Sequence, residues 1–416
     1  MRTVAMNTTP TSLANPWKML LWLLMAQIMV AFIGRSLGPL GVLIEEDLSL
    51  TKAQIGLLPS ALFLGQAIAS IPAGFITDRI GSRPLLLVLS LCLGTSFLFM
   101  TFQSAFWLVL FLVMIGGLGY GGMHPTTNRG IIYWFSQKQR GTAMGIKQMG
   151  ITFGSALSAI LLLPLAASYG WRPVVLIACL GLVVTGLIAF LLYRDPPQEA
   201  AVSNEKPTFR SIYSSILSMV KNKALLLVSF SAMGVNGSQM CLNTYLVLFA
   251  YEQLGINLVL AGMLLVTSEV GGSLGRVGWG VISDRLFDGK RLIILVFIAS
   301  ITLVASVVVA FIPAGTPFWM LVPIFLVFGF SVSGFNGIWM NLASELVPKE
   351  QAGLSSGFSI TLGSIGVILI PPLFGLLVDQ SQSYTFGWLL ISGIMVGVLL
   401  ILASLYVVKK ENVSSN

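Results

Sequence analysis

Apolar runs recur along the chain, separated by short polar breaks. A bilayer core about 30 Å thick needs about 20 apolar residues in a helix. Runs of that length fall near 17–44, 55–76, 85–103, 107–134, 141–168, 173–193, 223–250, 259–282, 292–312, 317–344, 351–378 and 388–408. The pattern predicts twelve membrane-spanning helices. Backbone groups in hydrocarbon find no water, so a helix, which satisfies its own bonds, is the form such runs adopt. Several runs exceed the minimum, which predicts tilted or kinked helices.

The longest polar break, "YRDPPQEAAVSNEKPTFRS" at 193–211, separates six runs from six. It predicts an N-terminal six-helix bundle over 1–193, a cytoplasmic linker over 194–222 and a C-terminal six-helix bundle over 223–416. The halves echo each other. "GFITDR" (74–79) ends the second run, and "GVISDR" (280–285) ends the eighth, 206 residues later. "RGTAMG" (140–145) opens the fifth run and "AGLSSG" (352–357) opens the eleventh. Internal repeats of this size mark secondary transporters.

Composition sharpens the picture. Hydrophobic residues make up 56% of the 416, charged residues only 9%, and mean hydropathy is +0.91. A soluble domain carries about 25% charged residues, so lipid must solvate most of this surface. The net charge of +8 does not point to nucleic acid, because the basic residues come in ones and twos without interleaved aromatics. They report topology instead. With the N-terminus inside, seventeen Lys and Arg lie on the cytoplasmic side and two, Lys52 and Arg172, outside. Both termini are then cytoplasmic and the chain is multi-pass in the cytoplasmic (inner) membrane. Cys92, Cys179 and Cys241 fall in apolar runs and read as packing residues. No metal-ligand set, nucleophile–base arrangement or phosphate loop is visible, so neither an enzyme nor a metal or cofactor is expected.

"GFITDRIGSR" fits the Gly-x-x-x-Asp-Arg-x-Gly-x-Arg/Lys motif between the second and third spans of the major facilitator superfamily, which the whole chain resembles. The resemblance implies two pseudo-symmetric six-helix bundles around a central cavity, working by alternating access. "HPTTNRGIIYWFSQKQRGTAMGI" narrows the likeness to the anion:cation symporter family, through Pro125, Arg129, Trp134, Phe135, Arg140 and Gly141. Four features depart from that family, the first being that Asn128 is adjacent to Arg129 where the family has Pro-x-Asn-x-Arg. Ser136 replaces a proline and Gln139 a glutamate, and Gly34 stands where an acidic residue often precedes the first-span arginine. The first half therefore lacks the family's proton-handling carboxylates.

Within the spans lie four cations, Arg35, Arg129, Lys147 and Arg276, and one acid, Glu269. Each cation near the bilayer centre costs about 2.5–3.5 kcal/mol on the translocon scale, so such residues face a cavity, a partner or both. Arg35 has Ala31, Gly38 and Pro39 at helical spacing, which leaves room before a guanidinium fork suited to a carboxylate or sulfonate. Arg129 follows Pro125 and Gly121 on one face and is expected to share an aqueous path with Arg35. Lys147 shares a face with Gly150 and Gly154. Asn236, Gln239 and Asn243 form one polar face on the seventh span, and Asn336 lies on the tenth. All seven are candidate substrate contacts. Glu269 and His124 are candidate coupling groups. Asp78, Arg79, Arg83, Arg140, Asp284 and Arg285 are candidate gate residues at the cytoplasmic face.

The expected function is secondary active transport of a small organic anion by a monomer, through proton-coupled uptake or anion exchange, with H+ the coupling ion and membrane lipid the surroundings. The alternative is a proton-driven drug or metabolite exporter. "GITFGSALSAILLLPL" has the fifth-span glycines of such exporters but lacks their Gly-Pro-x-x-Gly-Gly core.

Overall fold

The computed structural model describes residues 15–195, 217, 219–348 and 351–414. The described residues hold helices and no strand, and twelve helices are long and apolar enough to cross a membrane. Spans 1 to 12 are Pro16–Gly34, Lys52–Ile80, Ser82–Met100, Phe106–Trp134, Gln139–Tyr169, Trp171–Leu192, Lys223–Glu252, Leu258–Leu286, Arg291–Ala310, Phe318–Glu345, Ser355–Ser381 and Tyr384–Val407. Most of the 194–222 linker lies outside the described residues. Spans 1 to 6 pack chiefly on one another, as do spans 7 to 12.

Glycine sets how closely the helices approach. A Cβ on Gly65 of span 2 would lie 2.1 Å from the Met114 carbonyl of span 4, and one on Gly117 would lie 2.2 Å from that of Leu62. The same device joins spans 8 and 10. There a Cβ on Gly271 would meet the Leu326 carbonyl at 2.2 Å, and one on Gly275 that of Phe330 at 2.1 Å. Gly65 and Gly271 stand 206 positions apart, as do Asp78 and Asp284. The internal repeat is thus a repeat of packing. Lipid offers little hydrophobic drive between helices, so backbone approach of this kind supplies the contact.

Three spans depart from the uninterrupted helices the hydropathy predicts. Span 1 stops at Gly34, turns through residues 35–40 and resumes as a short helix, Gly41–Leu48. The sequence "GRSLGPLG" explains the break, because Pro39 has no N–H to give the Arg35 carbonyl, and the Ser36 N–H and hydroxyl both turn back to the Ile33 carbonyl, at 3.1 and 2.7 Å. Span 5 contains a π-helical turn, Ser158–Leu162. Span 10 is split between Phe318–Val332 and Asn336–Glu345. Broken backbone at membrane depth is tolerated where it is buried in protein or lines a cavity.

Candidate functional site

Arg35 occupies the break in span 1 and reaches across the interface between the halves. Its Nε donates to Tyr120 Oη of span 4 at 3.1 Å, and its Nη1 lies 3.8 Å from Met240 Sδ of span 7. The guanidinium carbon sits 5.4 Å from the Phe63 ring centre. The narrow cavity in front of it is lined by Gly38, Pro59, Ser155, Asn243 and Leu265 among others. The interface is tight there, since a Cβ on Gly38 would lie 2.3 Å from the Asn243 carbonyl.

Gly34 now has a physical explanation. A Cβ at this position would lie 2.5 Å from Cδ2 of the Tyr120 ring, and Tyr120 is fully buried. The ring that orients Arg35 takes the space an acidic side chain would need. Gly34→Asp is therefore expected to destabilise the protein by about 1–3 kcal/mol from overpacking alone, read as a lower melting temperature of the purified protein. An unchanged melting temperature would show that Tyr120 gives way freely.

Lys147 and Glu269 are the two fully buried charged side chains among the described residues. Glu269, on span 8, is 4% exposed. Its Oε1 accepts from Ser155 Oγ of span 5 at 2.8 Å and from Asn243 Nδ2 of span 7 at 3.2 Å. It thus ties the halves together, within electrostatic reach of both Arg35 and Arg276. Arg276 turns its Nε to the Ser333 carbonyl at the break in span 10, 3.3 Å away. Asn243 and Gln239 are buried on the same span, and the Asn243 Oδ1 has no partner. Asn236 faces Gly363 of span 11, whose Cβ would come within 2.7 Å of its amide nitrogen. Asn336 donates weakly to the Ser333 carbonyl at 3.5 Å.

Lys147 is 0% exposed, and its Nζ donates to Asn128 Oδ1 at 2.8 Å. Gly150 and Gly154 let span 5 lie against span 1, where a Cβ on Gly154 would be 2.5 Å from the Ile28 carbonyl. His124 stands between, its ring edge-on to Tyr120 with centres 6.2 Å apart. Both Lys147 and Arg35 act on it electrostatically.

Arg129 is placed differently from the path expected of it. Its Nε lies 3.3 Å from Asp78 Oδ1, its Nη2 donates to the Asp78 carbonyl at 3.2 Å, and its guanidinium covers the Tyr133 ring. Arg129 thus bridges to the end of span 2 rather than joining Arg35. Among the other gate candidates, Arg83 donates to the Phe190 carbonyl at 2.6 Å and Arg140 to that of Ile132 at 2.8 Å. Asp284 lies 3.8 Å from Arg291, which also pairs with Glu345. Arg79 and Arg285 are exposed and make no ion pair among the described residues. All these contacts stay within one half.

The opposite end carries a network that sequence reasoning missed. Lys52 pairs with Glu45 and, at 2.7 Å, with Glu252 of span 7. Tyr384 of span 12 donates to the same Glu252 at 2.8 Å. Asp379 of span 11 accepts from the backbone N–H groups of Lys52 and Ala53, each at 2.8 Å, and so caps the start of span 2 from the other half. Tyr245 Oη lies 2.8 Å from the carbonyls of Lys52 and Pro371. Together with Ser155–Glu269, these bonds join the halves from the centre to the Lys52 end, whereas Gly280, Gly337 and Gly357 toward the Asp284 end face open space. A single Lys beside "EED" was the only sequence signal for this seal.

A family model described as the Major Facilitator Superfamily matches residues 23–371. A probable sulfoacetate transporter of Cupriavidus necator is 27% identical, over 94% of this chain and 93% of that protein. A hexuronate transporter of Bacillus subtilis is 24% identical, over 85% and 86%. Among solved structures, the nucleoside transporter NupG aligns over 93% of this chain and 100% of its own, with a TM-score of 0.78 at 16% identity.

Proposed function

This chain belongs to the Major Facilitator Superfamily, and from that premise we propose that it moves a small organic anion, a carboxylate or sulfonate, across the cytoplasmic membrane by alternating access. The observation that carries the reading is Arg35, a guanidinium held in a helix break at the interface, with no carboxylate in direct contact among the described residues. A planar fork of donors in a water-poor site favours a planar or tripodal oxyanion. The similarity to sulfoacetate and hexuronate transporters supports the same substrate class.

The positive-inside pattern puts both termini and the Asp78 end in the cytoplasm. The sealed Lys52 end then faces outward, and the carrier is open to the cytoplasm. Asp78–Arg129 and Asp284–Arg291 brace the gate side of their own halves. The protein acts as a monomer in this reading.

Glu269 is the coupling group in this reading. An anion arriving at Arg35 takes over the positive field that Glu269 feels, and the carboxylate then accepts a proton more readily. Glu269→Gln is expected to abolish accumulation driven by a pH gradient in proteoliposomes while leaving substrate exchange intact. Gradient-driven accumulation that survives the substitution would remove Glu269 from coupling. The test of the function itself is counterflow of labelled carboxylates and sulfonates in the same vesicles. Counterflow of lipophilic cations instead would establish the exporter reading.

A further inference from the structure

Arg35 and Lys147 are anchored on one face of span 4. Tyr120 accepts from Arg35, Asn128 accepts from Lys147, and His124 lies midway between those two residues. Residues at i, i+4 and i+8 stack along a helix. Eight residues at 1.5 Å rise put Tyr120 and Asn128 about 12 Å apart along the axis.

Among the described residues, neither cation has a carboxylate in direct contact. Lys147 carries three donors and spends one on a neutral amide. Glu269 lies within reach of Arg35 and Arg276. Polar capacity is also left over nearby. Gln27 of span 1 is 0% exposed, and both its amide atoms lack a partner among the described residues. Its side chain packs against Gly150, one turn from Lys147, where a Cβ would lie 3.4 Å from Gln27 Cγ.

We infer that the substrate is a dianion that bridges Arg35 and Lys147 along the Tyr120–His124–Asn128 face. The inference rests on the anion reading above and narrows it. One acid group takes the Arg35 fork. The other displaces Asn128 from Lys147 and gains the unpaired Gln27 amide. The two anchors stand about 12 Å apart along span 4, so the acid groups must be separated by a chain rather than share one carbon, and the series from succinate to adipate, with two to four joining carbons, brackets that separation. A monoanion would leave one buried cation without a counter-charge, which is the costly arrangement.

The test is thermal-shift titration of the full-length protein with malonate, succinate, glutarate and adipate, and with propionate, butyrate, valerate and hexanoate as single-acid counterparts. Succinate to adipate are expected to bind at least about tenfold more tightly than their counterparts. Lys147→Gln is expected to erase that preference, and Lys147→Arg to restore part of it. Equal binding of diacids and monoacids by the unmodified protein would overturn the dianion while leaving the anion site standing. A preference that persists in Lys147→Gln would overturn the bridge between Arg35 and Lys147. No stabilisation by any acid of either series would count against both readings.

Discussion

Arg35→Gln is expected to reduce anion uptake to background while the protein still folds and inserts. Truncating one partner of a buried, hydrogen-bonded charge pair costs about 2–5 kcal/mol, which is roughly 30-fold to several thousand-fold in affinity. The loss should be selective. Arg35 lies in a helix break, its direct protein partners are a phenol and a thioether, and Glu269, which also feels its field, keeps Arg276 and its bonds from Ser155 and Asn243 when Arg35 is removed. Arg35→Lys keeps the charge but loses the fork and the Tyr120 bond, and should fall between the two. The check is initial uptake rate in proteoliposomes, with melting temperature as the control for folding. Full uptake in Arg35→Gln would mean that the guanidinium is structural.

The second large effect is expected at the sealed end. A Cβ on Gly375 would lie 2.2 Å from the Lys52 carbonyl oxygen and 2.4 Å from its carbon. Both atoms are backbone, so the clash cannot be relieved by a side chain turning aside. Gly375→Ala must push spans 2 and 11 apart, which also stretches the Asp379 cap and the Tyr245 bonds. Overpacking of this kind costs about 1–3 kcal/mol, here charged to the closed state alone. The population should move about 5- to 150-fold toward the form open at the Lys52 end. Distances between spin labels on spans 2 and 11 at that end would read the shift, and uptake should fall with it. Gly280→Ala is the control, because a Cβ there meets open space. Unchanged label distances in Gly375→Ala would show that this contact does not hold the seal.

Much of the fold was legible because the bilayer leaves so few options. Length and hydropathy placed eleven of the twelve spans to within a few residues at each end, and the structure has the same number of spans. The repeat of "GFITDR" and "GVISDR" is matched in the structure by equivalent packing at Gly65 and Gly271. The interruptions were harder to read. Gly38 and Pro39 were visible, but hydropathy averages over a break and ran span 1 on to residue 44. The candidate site was legible as a set of improbable residues, since a buried cation stands out in an apolar run. Their partners were not legible. Ser155 and Glu269 meet across 114 residues, and Lys52 and Asp379 across 327, by a folding geometry that no local pattern encodes. Arg129 was read with Arg35 on chemistry alone, and only the packing of span 4 on span 2 shows it paired with Asp78.

The most direct test of an anion site at Arg35 is a thermal-shift screen of the purified protein and its Arg35→Gln variant. The ligands are small carboxylates, sulfonates, inorganic anions and lipophilic cations. A ligand that binds the folded state raises its melting temperature by mass action. The account predicts stabilisation by one class of organic anion, lost in the variant. Stabilisation by lipophilic cations alone, or by anions equally in both proteins, would contradict it.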